Sequence, residues 1–457
     1  MKTIWLMLAL VVTAETAARR KAPQLPKPDD RYKADILLII AHPDDDTAVA
    51  AYLARAIYEE HRPVAVICAT RGDKGGNKVG SAQGAALGAE REIESRQALA
   101  SFGVKNVWFL GAPDTPSQDV LRSLEYWDHG SVLGQVVRLV RLTRPEVILT
   151  WLPAYVAGEN HADHQGSTVI ANEAFDLAGD RSAFAEQLAT TEGLHPWQPK
   201  KIYYFSDAFE ASGYWLGNLP VTPSPFRKDF LDGMGPAYSA TVVSPSRQLS
   251  YARLAAEETS FYLTQDGRFG KEALETGNFT NFESPVRLIC GKSLVGGSVT
   301  GDVFEGVVPG TVPFVRVPGS QSQVREGLSL EFGGPWAFYR EFWKAHQIEH
   351  LARLLPIPEM AIDPSSPLHI PLVIRNDTGS SEEVTLTAAL PKGWTDQTRH
   401  TVYPLMPGDV YPVQAILLSP GTQKPEWQEI TWKAEAGKRP IGSVTLRVYL
   451  GEGGMPQ

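Results

Sequence analysis

Cysteine is almost absent from this chain of 457 residues, which contains only Cys68 and Cys290. The first of them lies inside the apolar run VAVICAT, and the second is more than two hundred positions away. A single pair so widely separated is typical of buried thiols rather than of a disulfide framework. We therefore expect two free cysteines.

Positive charge is also scarce, since 52 acidic residues outnumber 43 basic ones and the net charge is −9. A surface of this sign offers no broad attraction to phosphate backbones, so we expect no nucleic-acid partner. The glycine-rich stretch GDKGGNKVG lacks the G-K-[ST] ending of a P-loop, which argues against phosphate transfer. Beyond the first 22 residues no segment approaches eighteen consecutive apolar residues.

The first 22 residues differ from the rest of the chain. Lys2 precedes the apolar run IWLMLALVV, which is followed by the small residues of TAETAA and the basic cluster RRK. This order is typical of a secretory signal peptide, and the run is short for a bilayer span. The alternative is an uncleaved membrane anchor. We expect residues 1–22 to be a signal peptide, and a secreted or periplasmic mature protein without a transmembrane segment.

The first domain is predicted over residues 30–345. Continuous apolar runs at 34–41, 63–70 and 146–152, with NVWFLG between the last two, alternate with segments of helical periodicity. Strands that are apolar throughout are buried on both faces, as in a parallel sheet covered by helices. The predicted fold is therefore α/β, a Rossmann-like parallel sheet flanked by helices, with KKIYYFSD (200–207) extending the sheet.

The character of the chain changes near residue 360. Short β-rich runs follow one another, separated by turns that contain proline, glycine and aspartate. Their spacing favours an immunoglobulin-like β-sandwich over residues 358–457, and LPKGW reads as a turn that leads to a buried tryptophan. The stretch 290–345 has no clear pattern, and we assign it to the first domain.

Two clusters of polar residues follow predicted strands of the first domain. HPDDD (42–46) comes directly after the first strand, where α/β sheets place ligand sites. Pro43 and one or two aspartates suit the first turn of a helix, but His42 does not, because a charged imidazole is unfavourable there. A neutral imidazole that ligates a metal explains it better.

The second cluster, NHADHQG (160–166), follows the strand at 146–152 and also opens a helix. Its side chains therefore lie at the same edge of the sheet as His42, and together the clusters predict a metal site. Zinc is the natural metal, held by His42, one aspartate of the first cluster, and either His161 or His164. Consecutive residues of a helical turn point in different directions, so a second aspartate can act as a base beside the bound water.

The motif AHPDD, followed about 120 residues later by HADH, resembles the LmbE-like or PIG-L-type N-acetylglucosaminyl deacetylases. TRGD (70–73), AEREIES and FLGAPD also resemble family segments, and the similarity extends over about residues 34–210. It implies a zinc-dependent hydrolase that removes an acetyl group from a substrate bearing an N-acetyl amino sugar. It also implies that His42, Asp45 and His164 are the zinc ligands and that Asp44 is the general base. His161 would stabilise the oxyanion or protonate the leaving amine, and Asp163 would orient a histidine. Arg91 and Asp114 would contact the sugar.

The sequence departs from the family at two positions. Relatives usually have glutamate where this chain has Asp46, and some have a tyrosine just before the H-x-D-H string, where this chain has Glu159 and, further upstream, Tyr155. Two of the implied contacts also have simpler explanations. Arg91 is three residues before Glu94 and can form a helix-surface ion pair with it, and Asp114 can be a turn residue.

Two other functions compete with deacetylation. HQIEH (346–350) matches the H-x-x-E-H pattern of inverted zinc proteases, with His346 and His350 as ligands and Glu349 as base. So short a pattern arises easily by chance, and a partly exposed linking helix explains it better. The chain can also be a sugar-binding protein that has lost catalysis. The intact HPDD and HADH strings favour the deacetylase.

Overall fold

The computed structural model describes residues 28–154, 161–189, 193–206, 232–317, 327–354, 357–421 and 424–451. The predicted signal peptide lies outside these residues, as do Tyr155 and Glu159. Among the residues described, no helix combines the length and the apolar content needed to cross a bilayer.

The first domain is built on a six-stranded sheet with the spatial order β3-β2-β1-β4-β5-β8. The first five strands are parallel, and β8 pairs with β5 in the opposite direction. The predicted parallel sheet is therefore confirmed, with an antiparallel edge strand added. The strands up to β8 are β1 (Ile36–Ile40), β2 (Val64–Cys68), β3 (Asn106–Phe109), β4 (Val147–Trp151), β5 (Lys201–Phe205), the paired short strands β6 (Ala237–Tyr238) and β7 (Val286–Arg287), and β8 (Ile289–Ser293).

Helices cover both faces of this sheet. Along β1, Leu37 and Ile39 belong to one apolar cluster with residues 132–140 and 169–175, whereas Ile36, Leu38 and Ile40 belong to another with residues 49–56 and 251–255. This two-sided burial explains why the strand is apolar throughout. The helices are α1 (Ala50–Tyr58), α2 (Ala85–Ser101), α3 (Val120–Tyr126), α4 (His129–Thr143), α5 (Ala162–Leu177), α6 (Tyr251–Thr259), α7 (Gly267–Thr276) and α8 (Gly334–Ala345), with 3₁₀ turns at Asp30–Tyr32, Asp45–Val49, Ala185–Ala189, Thr280–Phe282 and Glu349–Leu354.

The strand order reverses beside β1. From β1 the chain moves to β2 and β3 on one side, and it returns to β4 and β5 on the other. A reversal of this kind opens a crevice at the carboxyl ends of the two central strands, which is where open α/β sheets bind ligands. The residues after β1 and β4 therefore meet at one point.

The second domain consists of two antiparallel-rich sheets that enclose one apolar core. Trp394, the last residue of LPKGW, is buried in that core, as predicted. The immunoglobulin-like class of the domain stays a prediction. The sheets have the orders β10-β17-β16-β12-β14 and β13-β15-β11-β9, formed by β9 (Gly327–Phe332), β10 (Glu359–Ile362), β11 (Pro367–Asp377), β12 (Glu382–Ala389), β13 (Thr395–Asp396), β14 (Val402–Leu405), β15 (Val410–Leu418), β16 (Glu426–Ala436) and β17 (Arg439–Leu450).

The two domains are interlaced in sequence. Strand β9 belongs to the second domain because it pairs with β11, although it lies before the predicted boundary at residue 345. Helix α8 then returns to the first domain, where Tyr339 donates a hydrogen bond to Gln165 (2.9 Å) and Trp343 donates one to the carbonyl of Pro153 (2.7 Å). The chain therefore passes between the two domains more than once in this region, instead of through a single linker.

The helix required by the protease hypothesis does not pass through HQIEH. Helix α8 ends at Ala345, and Gln347 adopts a positive φ of 58°. His346 contacts the carboxylate of Asp176 (2.6 Å), and His350 contacts the backbone carbonyl of Cys290 (2.9 Å). The two histidines thus do not share one helix face, and the inverted-protease geometry is not formed.

Helices α6 and α7 approach each other closely at Gly270, where a Cβ atom would lie 2.6 Å from the backbone nitrogen of Ser260 and closer still to the carbonyl of Ala256. We expect Gly270→Ala to lower the free energy of unfolding by about 1–3 kcal/mol through overpacking. Gly130→Ala is the control, because a Cβ there meets no atom within 4 Å and the residue lies in α4. Urea denaturation measures both variants, and equal midpoints would contradict the packing argument.

Candidate metal centre

Asp45 is fixed at the reversal point by three hydrogen bonds to one of its oxygens. Its Oδ2 accepts from the backbone N–H groups of Ala41 (2.9 Å) and His42 (3.0 Å) and from the indole N–H of Trp151 (2.7 Å). The carboxylate therefore folds back onto the end of β1 instead of capping the helix that follows. Its second oxygen, Oδ1, is left to face the imidazoles.

Two imidazole nitrogens converge on that second oxygen. His42 Nδ1 lies 3.5 Å from Asp45 Oδ1, and His164 Nε2 lies 3.3 Å from it. Nitrogen and oxygen ligands about 2.0–2.1 Å from a tetrahedral zinc ion lie about 3.3 Å apart, so the spacing fits such an ion. All three side chains are buried. The ligand set implied by the family resemblance is thus brought together by the fold.

A second group that meets the same distance test consists of His42, His161 and Asp163. Its ligand atoms are largely engaged with protein groups. The oxygens of Asp163 accept from the backbone N–H of Thr115 (2.7 Å) and from the hydroxyl of Ser123 (2.5 Å), and His161 Nδ1 accepts from the backbone N–H of Asp163 (3.2 Å). The geometry therefore favours the set that contains Asp45.

The remaining faces of the two ligand histidines are held by neighbours. His42 Nε2 lies 3.3 Å from Asp114 Oδ1 and 3.7 Å from Asp163 Oδ2. The indole of Trp151 stacks on the ring of His164, with centroids 4.3 Å apart and an interplanar angle of 10°. Such outer contacts set the orientation of metal-ligating imidazoles and the basicity of the nitrogens that bind the ion.

The electrostatic environment favours a cation between these side chains. Burial opposes charge on His42, but the attraction of Asp45 and the contacts with Asp114 and Asp163 raise its pKa well above the usual value. Burial also opposes charge on Asp45, but His164 and His42 together lower its pKa well below the usual value. Attraction for a proton and attraction for a metal ion have the same origin here, so the site is suited to a cation.

Asp44 lies beside the ligands without joining them. Burial and the repulsion of Asp45 raise the pKa of Asp44 to about 6, although Arg91 partly offsets them. Its carboxylate lines a cavity together with Asp45 and Trp151. A carboxylate with a pKa near neutrality, at the wall of a cavity, has the properties of a general base.

His161 is the third histidine of the cluster, with its ring centroid 4.6 Å from that of His42 and 5.0 Å from that of His164. Burial, together with the repulsion of the two neighbouring rings, lowers its pKa well below the usual value. Because its Nδ1 accepts the N–H of Asp163, the neutral ring carries its proton on Nε2. His161 is therefore suited to donate a hydrogen bond from that nitrogen.

Arg91 has a different partner from the one its sequence spacing offers. Its guanidinium donates to the carbonyls of Gly72 (2.5 Å) and Gly76 (2.8 Å), whereas Glu94 accepts from the backbone N–H (3.0 Å) and hydroxyl (2.7 Å) of Thr264. The alternative of a helix-surface ion pair between Arg91 and Glu94 is therefore wrong. Arg91 shapes the glycine-rich loop beside the site, and a sugar contact by it stays a prediction.

Asp114 joins the same loop to the metal centre. Its Oδ2 accepts from the backbone N–H of Lys74 (2.8 Å), while its Oδ1 faces His42. The carboxylate is more than a turn residue, because it braces a ligand and a loop at once. Its predicted contact with sugar stays a prediction.

Sequence reasoning missed the partners of Asp46. This buried carboxylate accepts a hydrogen bond from the hydroxyl of Tyr262 (2.6 Å) and also interacts with the buried carboxyl group of Glu258. Burial is the main cause that raises the pKa of Asp46 to about 7. Tyr262 is 216 positions away in the chain, and it follows α6 without any motif that would have pointed to it.

Comparison with known proteins gives the family of this segment. Residues 37–175 match the sequence model of PIG-L, the GlcNAc-PI de-N-acetylases. These residues span both clusters and all of the ligands described above. The segment is of the PIG-L type. The resemblance inferred from the motifs is thereby confirmed.

Several curated proteins align with part of the chain. A 1D-myo-inositol 2-acetamido-2-deoxy-alpha-D-glucopyranoside deacetylase from Streptomyces avermitilis is 31% identical over 185 residues, 37% of this chain and 60% of that protein. A second deacetylase of this name, from Catenulispora acidiphila, is 28% identical, over 42% of this chain and 62% of its own. A mycothiol S-conjugate amidase from Streptomyces coelicolor is 30% identical, over 37% and 59%. The chain thus spans about three fifths of these relatives.

Similar solved structures include an N,N'-diacetylchitobiose deacetylase from Pyrococcus horikoshii, at 16% identity over 57% of this chain and 85% of that one. Another is the conserved protein TT1542 from Thermus thermophilus, at 20% identity over 58% and 97%. Both have a TM-score of 0.37, and at that level neither likeness supports a conclusion about this chain.

Trp151 holds the metal centre in two ways, through its N–H to Asp45 and its stack on His164. We expect Trp151→Phe to weaken zinc binding by about 10–100-fold, because the stack is kept in part while the hydrogen bond to the ligand is lost. Competition with a chromophoric chelator measures the zinc Kd. Trp394→Phe is the control, since it removes an indole donor to Gln428 in the second domain. An unchanged Kd for Trp151→Phe would contradict the bracing of Asp45.

Proposed function

We propose that this protein is a zinc-dependent N-deacetylase that removes an acetyl group from a substrate containing N-acetylglucosamine. The observation that carries the proposal is the convergence of His42 Nδ1 and His164 Nε2 on Asp45 Oδ1, at 3.5 and 3.3 Å, beside a carboxylate that is not a ligand. The PIG-L match over residues 37–175 supports the reaction class. So do the names of the relatives, which are deacetylases of a 2-acetamido-2-deoxy-glucopyranoside and a mycothiol S-conjugate amidase.

The residues of the site divide the work of amide hydrolysis. His42, Asp45 and His164 would hold zinc, which supplies Lewis acidity toward the amide carbonyl and the attacking water when it is bound. Asp44 accepts the proton of that water as it attacks the carbonyl carbon. His161 donates a hydrogen bond from Nε2 to the oxygen that gains negative charge. The proton that Asp44 has accepted then passes to the nitrogen of the leaving amine as the amide bond breaks.

Other residues keep these groups in place. Asp163 anchors the start of α5 to Thr115 and Ser123, next to the outer nitrogen of His42. Arg91 and Asp114 hold the glycine-rich loop, and Asp114 also contacts His42 Nε2. We place the sugar beside this loop, in keeping with the contacts implied by the family resemblance.

The location of the protein and the role of its second domain belong to the same proposal. The charged start, apolar run and small residues of the first 22 positions support export through a cleaved signal peptide. We assign the second domain to the immunoglobulin-like sandwiches. It contacts the first domain near the site, where Gln118 donates a hydrogen bond to the carbonyl of Ala361 (2.9 Å).

We expect Asp44→Asn to lower kcat by about 10²–10⁴-fold, because the amide side chain cannot accept the proton of the attacking water. Zinc content should stay at about one ion per chain, since Asp44 is not a ligand in the proposed set. Acetate release from N-acetylglucosamine and chitin oligosaccharides measures the rate. His350→Ala is the control and should leave the rate unchanged, because its ring contacts a backbone carbonyl away from the site. Acetate release by Asp44→Asn at the rate of the wild type would refute its role as the base.

Removal of the metal separates catalysis from sugar binding. We expect a strong chelator to abolish acetate release and added zinc to restore it, because the proposed ligand side chains cannot replace zinc as a Lewis acid. The measurement is acetate release before chelation, after dialysis and after zinc is returned. Sugar binding without any acetate release in the zinc-loaded protein would support the non-catalytic alternative.

A further inference from the structure

A cavity of about 240 Å³ opens beside the general base. Asp44, Asp45 and Trp151 form its inner end, next to the metal ligands. We call it the acyl cavity. Its other walls come from α1, α6, α7 and the segment around residues 281–286, most of which lies outside the residues that match PIG-L.

Most of the surface that lines the acyl cavity is apolar, and it includes Ala51 of α1, Ala255 of α6, Phe269, Phe282 and Val286. Polar side chains such as Thr259, Asp266 and Asn281 form the rest. The two phenylalanines are only half-buried, as expected of side chains that line an open space. An apolar surface of this kind gains free energy when it is covered by hydrocarbon.

The cavity is far larger than an acetyl group requires. An apolar cavity of about 150 Å³ already binds benzene, and a water-sized group occupies about 30 Å³. By that measure the acyl cavity takes about eight such groups, whereas an acetyl group has one methyl to place. Small side chains create this room, because Ala51 and Ala255 contribute only a Cβ atom each.

The groups around His42 Nε2 are already paired within the protein. Asp114 and Asp163 lie against this nitrogen, and Asp114 also accepts from the backbone N–H of Lys74. Asp44, in contrast, lines the acyl cavity. An acyl chain in this cavity contacts mainly apolar surface, whereas most hydroxyl groups of a sugar would lose their hydrogen bonds to water there.

We propose that the acyl cavity binds the acyl chain of an N-acylated amino sugar, so that amides with about six to eight chain carbons are better substrates than acetamides. This inference rests on the proposed amide hydrolysis and names its substrate class. Hydrocarbon burial favours binding by about fourfold per methylene group. The N-octanoyl compound has six more methylenes than the N-acetyl compound, so a preference of at least about tenfold in kcat/KM is expected.

The test is a series of glucosamine amides carrying acetyl, butanoyl and octanoyl groups, with release of the free amine measured for the zinc-loaded full chain. Octyl 2-acetamido-2-deoxy-glucoside is the matched probe, because it carries the same hydrocarbon on the opposite side of the amide. Calorimetry with Asp44→Asn measures binding of the same compounds without turnover. Two variants fill the cavity to different degrees, Ala255→Val and Ala255→Phe, and circular dichroism checks their folding.

We expect kcat/KM and affinity to rise from acetyl to octanoyl in the wild type. The rise should shrink in Ala255→Val and disappear in Ala255→Phe, because the larger side chains occupy the room for the acyl chain. Cleavage of the acetamide without any gain from octanoyl would overturn the inference and leave the proposed function standing. A gain from the octyl glycoside in place of the octanoyl amide would overturn it as well, since the cavity would then receive the other end of the substrate. No amine release from any compound would refute the proposed function, and this inference with it.

Discussion

The site depends on one carboxylate oxygen. Asp45 Oδ2 accepts three hydrogen bonds, two from the backbone at the end of β1 and one from Trp151 at the end of β4. These two strands are neighbours at the point where the strand order reverses, so the carboxylate ties together the two halves of the sheet. With Oδ2 fixed in this way, Oδ1 has a defined position between the imidazoles, and the distances of 3.3–3.5 Å follow.

Neighbouring side chains hold the two imidazoles in this arrangement. Asp114 and Asp163 border the outer nitrogen of His42, and Trp151 stacks on His164. The cavity beside these residues has a mainly apolar lining. Asp44, the proposed base, lies at its wall, and its pKa is raised to about 6, chiefly by burial.

Sequence patterns predicted the structure best where a feature depends on residues that are close together in the chain. The apolar run before HPDDD predicted a strand buried on both faces, and the position of each cluster after a strand predicted that they meet. Spacing was misleading for Arg91, whose carbonyl partners Gly72 and Gly76 lie in a loop rather than one helical turn away. It was misleading again in HQIEH, because α8 ends at Ala345, before both histidines.

The sequence by itself determined the parallel sheet, the two ligand clusters and the apolar core of the second domain, because periodicity and strand-end position are local properties. Only the tertiary structure decided which atoms converge, since Trp151, 106 positions away, donates to Asp45 Oδ2 and so leaves Oδ1 to the imidazoles. It alone placed Tyr262 against Asp46 and brought α6 and α7 round to wall the acyl cavity. Contacts between residues so distant in the chain depend on side-chain packing, and they therefore produce no periodic pattern in the sequence.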